Sequence, residues 1–182
     1  MQAPTFPTKT LAGERPIPFT PFHFGAGAAI HSFSPTRVSF LSFCGANIVT
    51  DLEPLNYMLR REWPIHRIFH TFIGATVVAF ITITVGLMLL EISKRFSLPN
   101  YFGWQQTGLA AIAVGAFLGT YTHIVLDGLT HVDMKPFAPF SMANPLLGFV
   151  NWWQVQILCI LFGILGLMLI RARASRSAKL TQ

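Results

Sequence analysis

Charge is scarce in this chain. Only 11% of its 182 residues are Asp, Glu, Lys or Arg, where a soluble domain carries roughly 25%. With 52% of the residues hydrophobic, this composition predicts residence in lipid, and the length leaves room for one domain. Cysteine is scarcer still. Cys44 and Cys159 both lie in apolar stretches and form no CxxC pair, which excludes a disulfide framework and reads as two small buried hydrophobes. There is no GxSxG elbow and no phosphate-binding loop of the GxxxxGK[ST] type. Serine-hydrolase and nucleoside-triphosphatase chemistry are therefore disfavoured. The opening stretch "MQAPTFPTKTLAGERPIPFTPF" has no apolar leader core, so no cleavable signal is expected.

The net charge is +6, yet Lys94, Arg95, Arg171, Arg173, Arg176 and Lys179 stand beside apolar segment ends. That is the pattern of membrane topology signals and headgroup contact. It predicts a membrane-lipid partner and no nucleic acid.

What the sequence does contain is apolar length. Three segments, 68–90, 104–125 and 152–170, reach the roughly 20 residues that span a bilayer. Trp63, Trp104, Trp152 and Trp153 fall near their ends, as interfacial anchors do. Two shorter apolar stretches precede them. One opens at Thr20-Pro21, an N-cap followed by a first-turn proline, and closes before Pro35; the other covers 37–50. The expected fold is all-α, a polytopic membrane helical bundle of three spanning helices plus an N-terminal pair of shorter apolar helices. A Pro-rich flexible tail (1–19) would precede the membrane domain (20–172) and a basic tail (173–182) would follow it. With "RARASRSAK" on the inside, seven Lys and Arg lie inside and six outside, which places the C-terminus in the cytoplasm.

Against this background, "HIVLDGLTHVD" (123–133) is conspicuous. A carboxylate at membrane depth is costly unless paired or bound. His123 and Asp127 are four residues apart, as are His66 and His70 at the start of the preceding segment. On a helix each pair would share one face. Antiparallel neighbours bring the two pairs to the same membrane face, where His23, Asp51 and Glu53 also arrive if the two short N-terminal helices form a hairpin. His131 continues the His123 stripe by one turn if the helix lasts that far. Behind the polar positions stand Gly115, Gly119, Gly74, Gly27 and Asn47, so the polar stripes merge into close-packing faces that point inward. Singly, each histidine reads as a hydrogen-bonded core residue. Jointly they read as a divalent transition-metal site, zinc first, with manganese or iron accepting the same donors. The donor inventory is large enough for two metals, or for one metal plus an acid/base residue. Asp133 reads as a loop cap, and Arg67 as a phosphate or headgroup contact. "KPFAPFSMANPLLG" (135–148) reads as an ordered loop wrapped over the site, or a lid.

The stretches "PFTPFHFG", "ANIVTDLEPLNYML", "EWPIHRIFHTFIGA" and "HIVLDGLTHVDMKPFAPFSMANPLLG" resemble the YdjM-like family, grouped as metal-dependent hydrolases of the bacterial inner membrane. The match runs from about residue 18 to residue 148. It implies a membrane-embedded hydrolase whose ligands fall on His23, Asp51, His66 or His70, His123 and Asp127. Where the family often has a second Asp in its Asp motif, this chain has Glu53. The expected metal ligands are then His23, Asp51, His70, His123 and Asp127, with His66, Glu53 or His131 as additional ligand or general acid/base. The expected activity is hydrolysis of a lipid-linked ester or phosphoester at the membrane–water interface. The competing readings are an ion, proton or metal transporter and a non-catalytic membrane protein with a structural metal.

Overall fold

The computed structural model describes residues 20–96 and 98–180; the expected tail at 1–19 lies outside them. Among the described residues the chain is all-helical, with five α-helices and no strand. A single 3-10 turn, Thr20–Phe22, leads into α1, His23–Phe33, so the Thr20-Pro21 start signal opens the lead-in turn. Helix α2 is Phe40–Leu59, with the Ser39 side chain accepting from Ser42 N–H as its N-cap. It continues beyond the expected end near Thr50 and carries Pro54 inside it, because a proline removes one helical hydrogen bond without forbidding the turns that follow. Helix α3 is Phe72–Ser93, α4 is Leu109–Gly128 and α5 is Trp152–Leu180. The start of α4 falls after Trp104, which lies in a separate 3-10 turn, Tyr101–Gln106. Helix α5 stays helical through the basic residues at its end.

Among the described residues three helices are long and apolar enough to cross a membrane: Phe72–Ser93, Leu109–Gly128 and Trp152–Arg173. Their outward faces carry the signature of lipid contact. Ile73, Val77, Phe80, Val85 and Met88 are all exposed along α3, and Ile157, Leu161, Ile164 and Met168 along α5. An apolar surface this extensive is stable only against acyl chains or a partner.

Helix α4 is the most buried of the three spans and lies between α2 and α3, while α1 packs on α5. In lipid, such contacts depend on close backbone approach at small residues. A Cβ on Gly115 would overlap the Ser39 carbonyl, and one on Gly119 would fall 2.6 Å from the Phe43 oxygen. The successive pairs Ser39–Gly115, Phe43–Gly119 and Asn47–His123 rise together, so α2 and α4 run parallel. Helix α3 returns antiparallel, with Thr76 Oγ1 bonded to Tyr121 Oη at 2.9 Å. The start of α1, the middle of α2, the start of α3, the end of α4 and the start of α5 thus share one end of the bundle.

The 129–151 connection covers part of that end. Met134 is buried against Ala75 and Ile124, Phe72 N–H donates to the Pro136 carbonyl and Gly148 N–H to that of Leu129. Its aromatic residues do not all turn inward as a wrap over the site would require: Phe140 is 88% and Phe149 77% exposed.

Candidate metal centre

The parallel register of α2 and α4 sets the site. His123 and Asp127 lie one turn apart on α4, and Asn47 and Asp51 one turn apart on α2, so Asn47 meets His123 and Asp51 comes level with both α4 residues. The Asn47 amide nitrogen donates to the Phe43 carbonyl at 2.8 Å, which turns its Oδ1 to accept from His123 Nδ1 at 2.9 Å. The His123 proton is thereby held on Nδ1, and its Nε2 lone pair is left for a cation.

His66 and His70 were expected on a helix and instead lie in the loop before α3. Thr71 is the reason. Its hydroxyl accepts from Gly74 N–H at 2.9 Å and starts the helix at Phe72. Glu53 shapes the loop, accepting N–H groups from Arg67 (3.2 Å), Ile68 (2.8 Å) and Phe69 (2.9 Å), then His70 Nδ1 at 3.3 Å. Four donors fill the acceptor capacity of one carboxylate. Burial draws the Glu53 carboxyl upward, but the bonds from His70 and from the Ile68 and Arg67 backbone outweigh it and hold it below its ordinary value. Asp133 clamps the neighbouring turn in the same way, taking the N–H groups of Ile65 and His66 and, at 2.8 Å, His66 Nδ1.

These constraints aim four ligand atoms at one point. His123 Nε2 lies 3.0 Å from Asp127 Oδ2 and 3.2 Å from Asp51 Oδ1; His70 Nε2 lies 3.7 Å and 3.9 Å from the same oxygens. A tetrahedral ion with bonds of about 2.0–2.1 Å separates its ligands by about 3.3 Å, within the observed spread. All four atoms lie within 4.8 Å of one another. Two of the four, His70 Nε2 and His123 Nε2, are buried with no hydrogen bond, as is the other oxygen of Asp127, Oδ1, and a buried polar atom costs about 1–3 kcal/mol if left unsatisfied. Burial lowers His70 from 6.5 to about 4 despite its Glu53 bond. Its imidazole is therefore neutral at pH 7, the form that binds metal. The Asp51 side chain is 26% accessible, against 0–5% for the other three, so water reaches the centre along its side.

His23, the first residue of α1, stands beside this group, with Nε2 buried, unbonded and 3.4 Å from Asp127 Oδ1. Its Nδ1 faces His123 Nδ1 at 3.2 Å, and burial, outweighing the pull of Asp127, lowers it to about 4. Although α4 ends at Gly128, a turn bonded from His131 N–H to the Asp127 carbonyl carries His131 onward and leaves its Nε2 4.0 Å from Asp127 Oδ1. His66, Asp127 and His131 form a second group within 4.8 Å. Only His31 stays apart, bonded to the Val38 carbonyl at 2.7 Å.

Sequence reasoning saw Asn47 as part of a packing stripe and Asp133 as a cap. Asn47 does lie buried between α2 and α4 and Asp133 does cap loop N–H groups; each also sets the proton on a site imidazole, which only the three-dimensional pairing reveals. Gln156 was passed over; it is 4% exposed with neither amide atom bonded. Its signal in the sequence is one of two amides, Gln154 and Gln156, at the start of an apolar helix. Arg67 lies over the Tyr57 ring and bonds Glu62 at 3.0 Å. Beside His66 and Asp133 opens a cavity of about 380 Å³, carrying Arg67 and Lys135 on walls that include Ile68 and Ile73.

Fold and site together define a multi-pass helical membrane protein with a buried His/Asp centre able to hold a metal ion. Compared with protein-family models, curated proteins and solved structures, the chain matches none.

Proposed function

We propose that the chain is a metal-dependent hydrolase embedded in the bacterial inner membrane, acting at the membrane–water interface on a lipid-borne ester or phosphoester. The observation that carries this reading is the convergence of His70 Nε2, His123 Nε2, Asp51 Oδ1 and Asp127 Oδ2 at the end of the bundle where the Asp51 side chain is accessible. Asp51, His70, His123 and Asp127 hold the ion, and the mixture of imidazole and carboxylate suits zinc, with manganese or iron as other occupants. When bound, the ion supplies Lewis acidity and an activated water.

The chain's own groups do the rest. Asn47 and Glu53 keep the Nδ1 protons of His123 and His70 in place. His23 Nε2, unbonded beside Asp127, is placed to carry a proton. A water oxygen bonds to the ester carbon or phosphorus, the bond to the alcohol breaks, and the water's proton passes by way of His23 to the departing alcohol. Lys135 and Arg67 draw an anionic headgroup into the adjacent cavity, and Ile68 and Ile73 meet its chains. The resemblance of the motifs to the YdjM-like group points the same way. An ion path would need ionisable side chains on through the bilayer. Among the described residues the buried ones, His23, His66, His70, His123, Asp127 and Asp133, all stand at one end.

The test is turnover. Tag-free protein in vesicles of phosphatidylethanolamine and phosphatidylglycerol, with and without a polyprenyl phosphate, should release a hydrolysis product detectable by mass spectrometry. Chelation and Asp127→Asn should abolish it. Metal-loaded protein that turns over none of these lipids would favour a structural metal, and metal-driven flux across the vesicle wall would favour transport.

A further inference from the structure

Asp127 has two oxygens, and they face different histidines. Oδ2 points to His123 and His70, whereas Oδ1, which has no hydrogen bond, lies 3.4 Å from His23 Nε2 and 4.0 Å from His131 Nε2, two further buried nitrogens without a hydrogen bond. The third member of that second group, His66, has Nδ1 committed to Asp133, so the nitrogen it can offer is Nε2. Its ring centroid is 4.4 Å from that of His131. We propose that the protein binds two divalent cations bridged by Asp127, one held with Asp51, His70 and His123, the other with His66 and His131. This rests on the reading of the first group as a metal site and adds to it a second ion and a bridge.

Two features support the second ion. The first is the repeated orienting device. Glu53 on His70, Asn47 on His123 and Asp133 on His66 each tie down Nδ1 and release Nε2, the outer-shell arrangement that aims imidazoles at metals. A loop staple alone would account for the Asp133 bonds but not for the grouping of His66 with Asp127 and His131. The second is charge. Asp51, Glu53, Asp127 and Asp133 bring four carboxylates to one cluster of imidazoles, whose charge two divalent cations balance and one does not. A carboxylate-bridged pair also selects the substrate within the proposed class. Two ions together grip two oxygens of one group, an arrangement suited to a phosphoester.

Metal stoichiometry decides the matter without any activity assay. Tag-free protein in detergent is stripped with chelator, titrated with Mn²⁺, and read by elemental analysis and by electron paramagnetic resonance. Wild type should saturate at two Mn²⁺ per chain with an exchange-coupled signal. His131→Ala and His66→Ala should each fall to one, with the uncoupled signal of an isolated ion. Wild type saturating at one ion would overturn the second site while leaving the hydrolase reading intact, as would two uncoupled ions or an unchanged stoichiometry in His131→Ala. Wild type binding no ion would overturn both. The wild-type count stands even if a variant fails to fold.

Discussion

Asn47 and Glu53 touch no ion in the proposed centre, yet they decide which nitrogen of His123 and His70 is free to. Glu53→Gln keeps the shape but loses a charge and part of its acceptor capacity, and Asn47→Ala leaves His123 Nδ1 without its 2.9 Å acceptor. Each should weaken metal binding by about 10–100-fold, measured by competition with a chromophoric chelator; an unchanged affinity would deny them the orienting role. Of these residues the sequence made the ionisable ones legible. His123 and Asp127 stand out because a carboxylate four residues from an imidazole inside an apolar run is costly without a partner. Asn47 does not stand out, since its effect lies in the direction its amide turns.

At the scale of elements, the site depends on α2 and α4 keeping their offset. Gly119→Val should force the Phe43 carbonyl away, costing about 1–3 kcal/mol as overpacking does, and should slide Asn47 off His123. A lower thermal midpoint in detergent together with weaker metal binding would be the readout. Thr71→Ala removes the α3 cap, worth about 1 kcal/mol, and slackens the loop that presents His70; its metal affinity should fall while α3 stays helical by circular dichroism. The helix boundaries were the less legible part. The spacing of His66 and His70 fits a helix face, but a chain whose N–H groups are taken by Glu53 and Asp133 can deliver both rings from a loop. Those bonds join residues far apart in sequence, so no local pattern announces them.

At the scale of the whole molecule, the polar end of the bundle ties stability to pH and to metal. His23 and His70 are held at about 4 in the folded chain against an ordinary 6.5, so protons prefer the unfolded state between those values. Glu53 and Asp133, held low by their bonds, act in the same direction. Metal-free protein should lose stability progressively from about pH 6.5 toward pH 4, as a melting series across that range would reveal; a midpoint that rises on acidification would contradict the burial of neutral His23 and His70. Metal at 100 times its dissociation constant should add about 2.7 kcal/mol, removable by chelator.

Membrane residence, the all-helical fold and the three spans were settled by composition and apolar length, because lipid requires backbone hydrogen bonds to be satisfied within each segment. The kinds of donor at the candidate centre were likewise in the sequence. Tertiary structure alone decided which nitrogen of each imidazole faces inward, that Glu53 and Asp133 shape loops, and that the two oxygens of Asp127 look toward different histidines. Those are matters of direction between distant segments, fixed by the parallel packing of α2 on α4 and by loop bonds spanning up to 68 residues of chain.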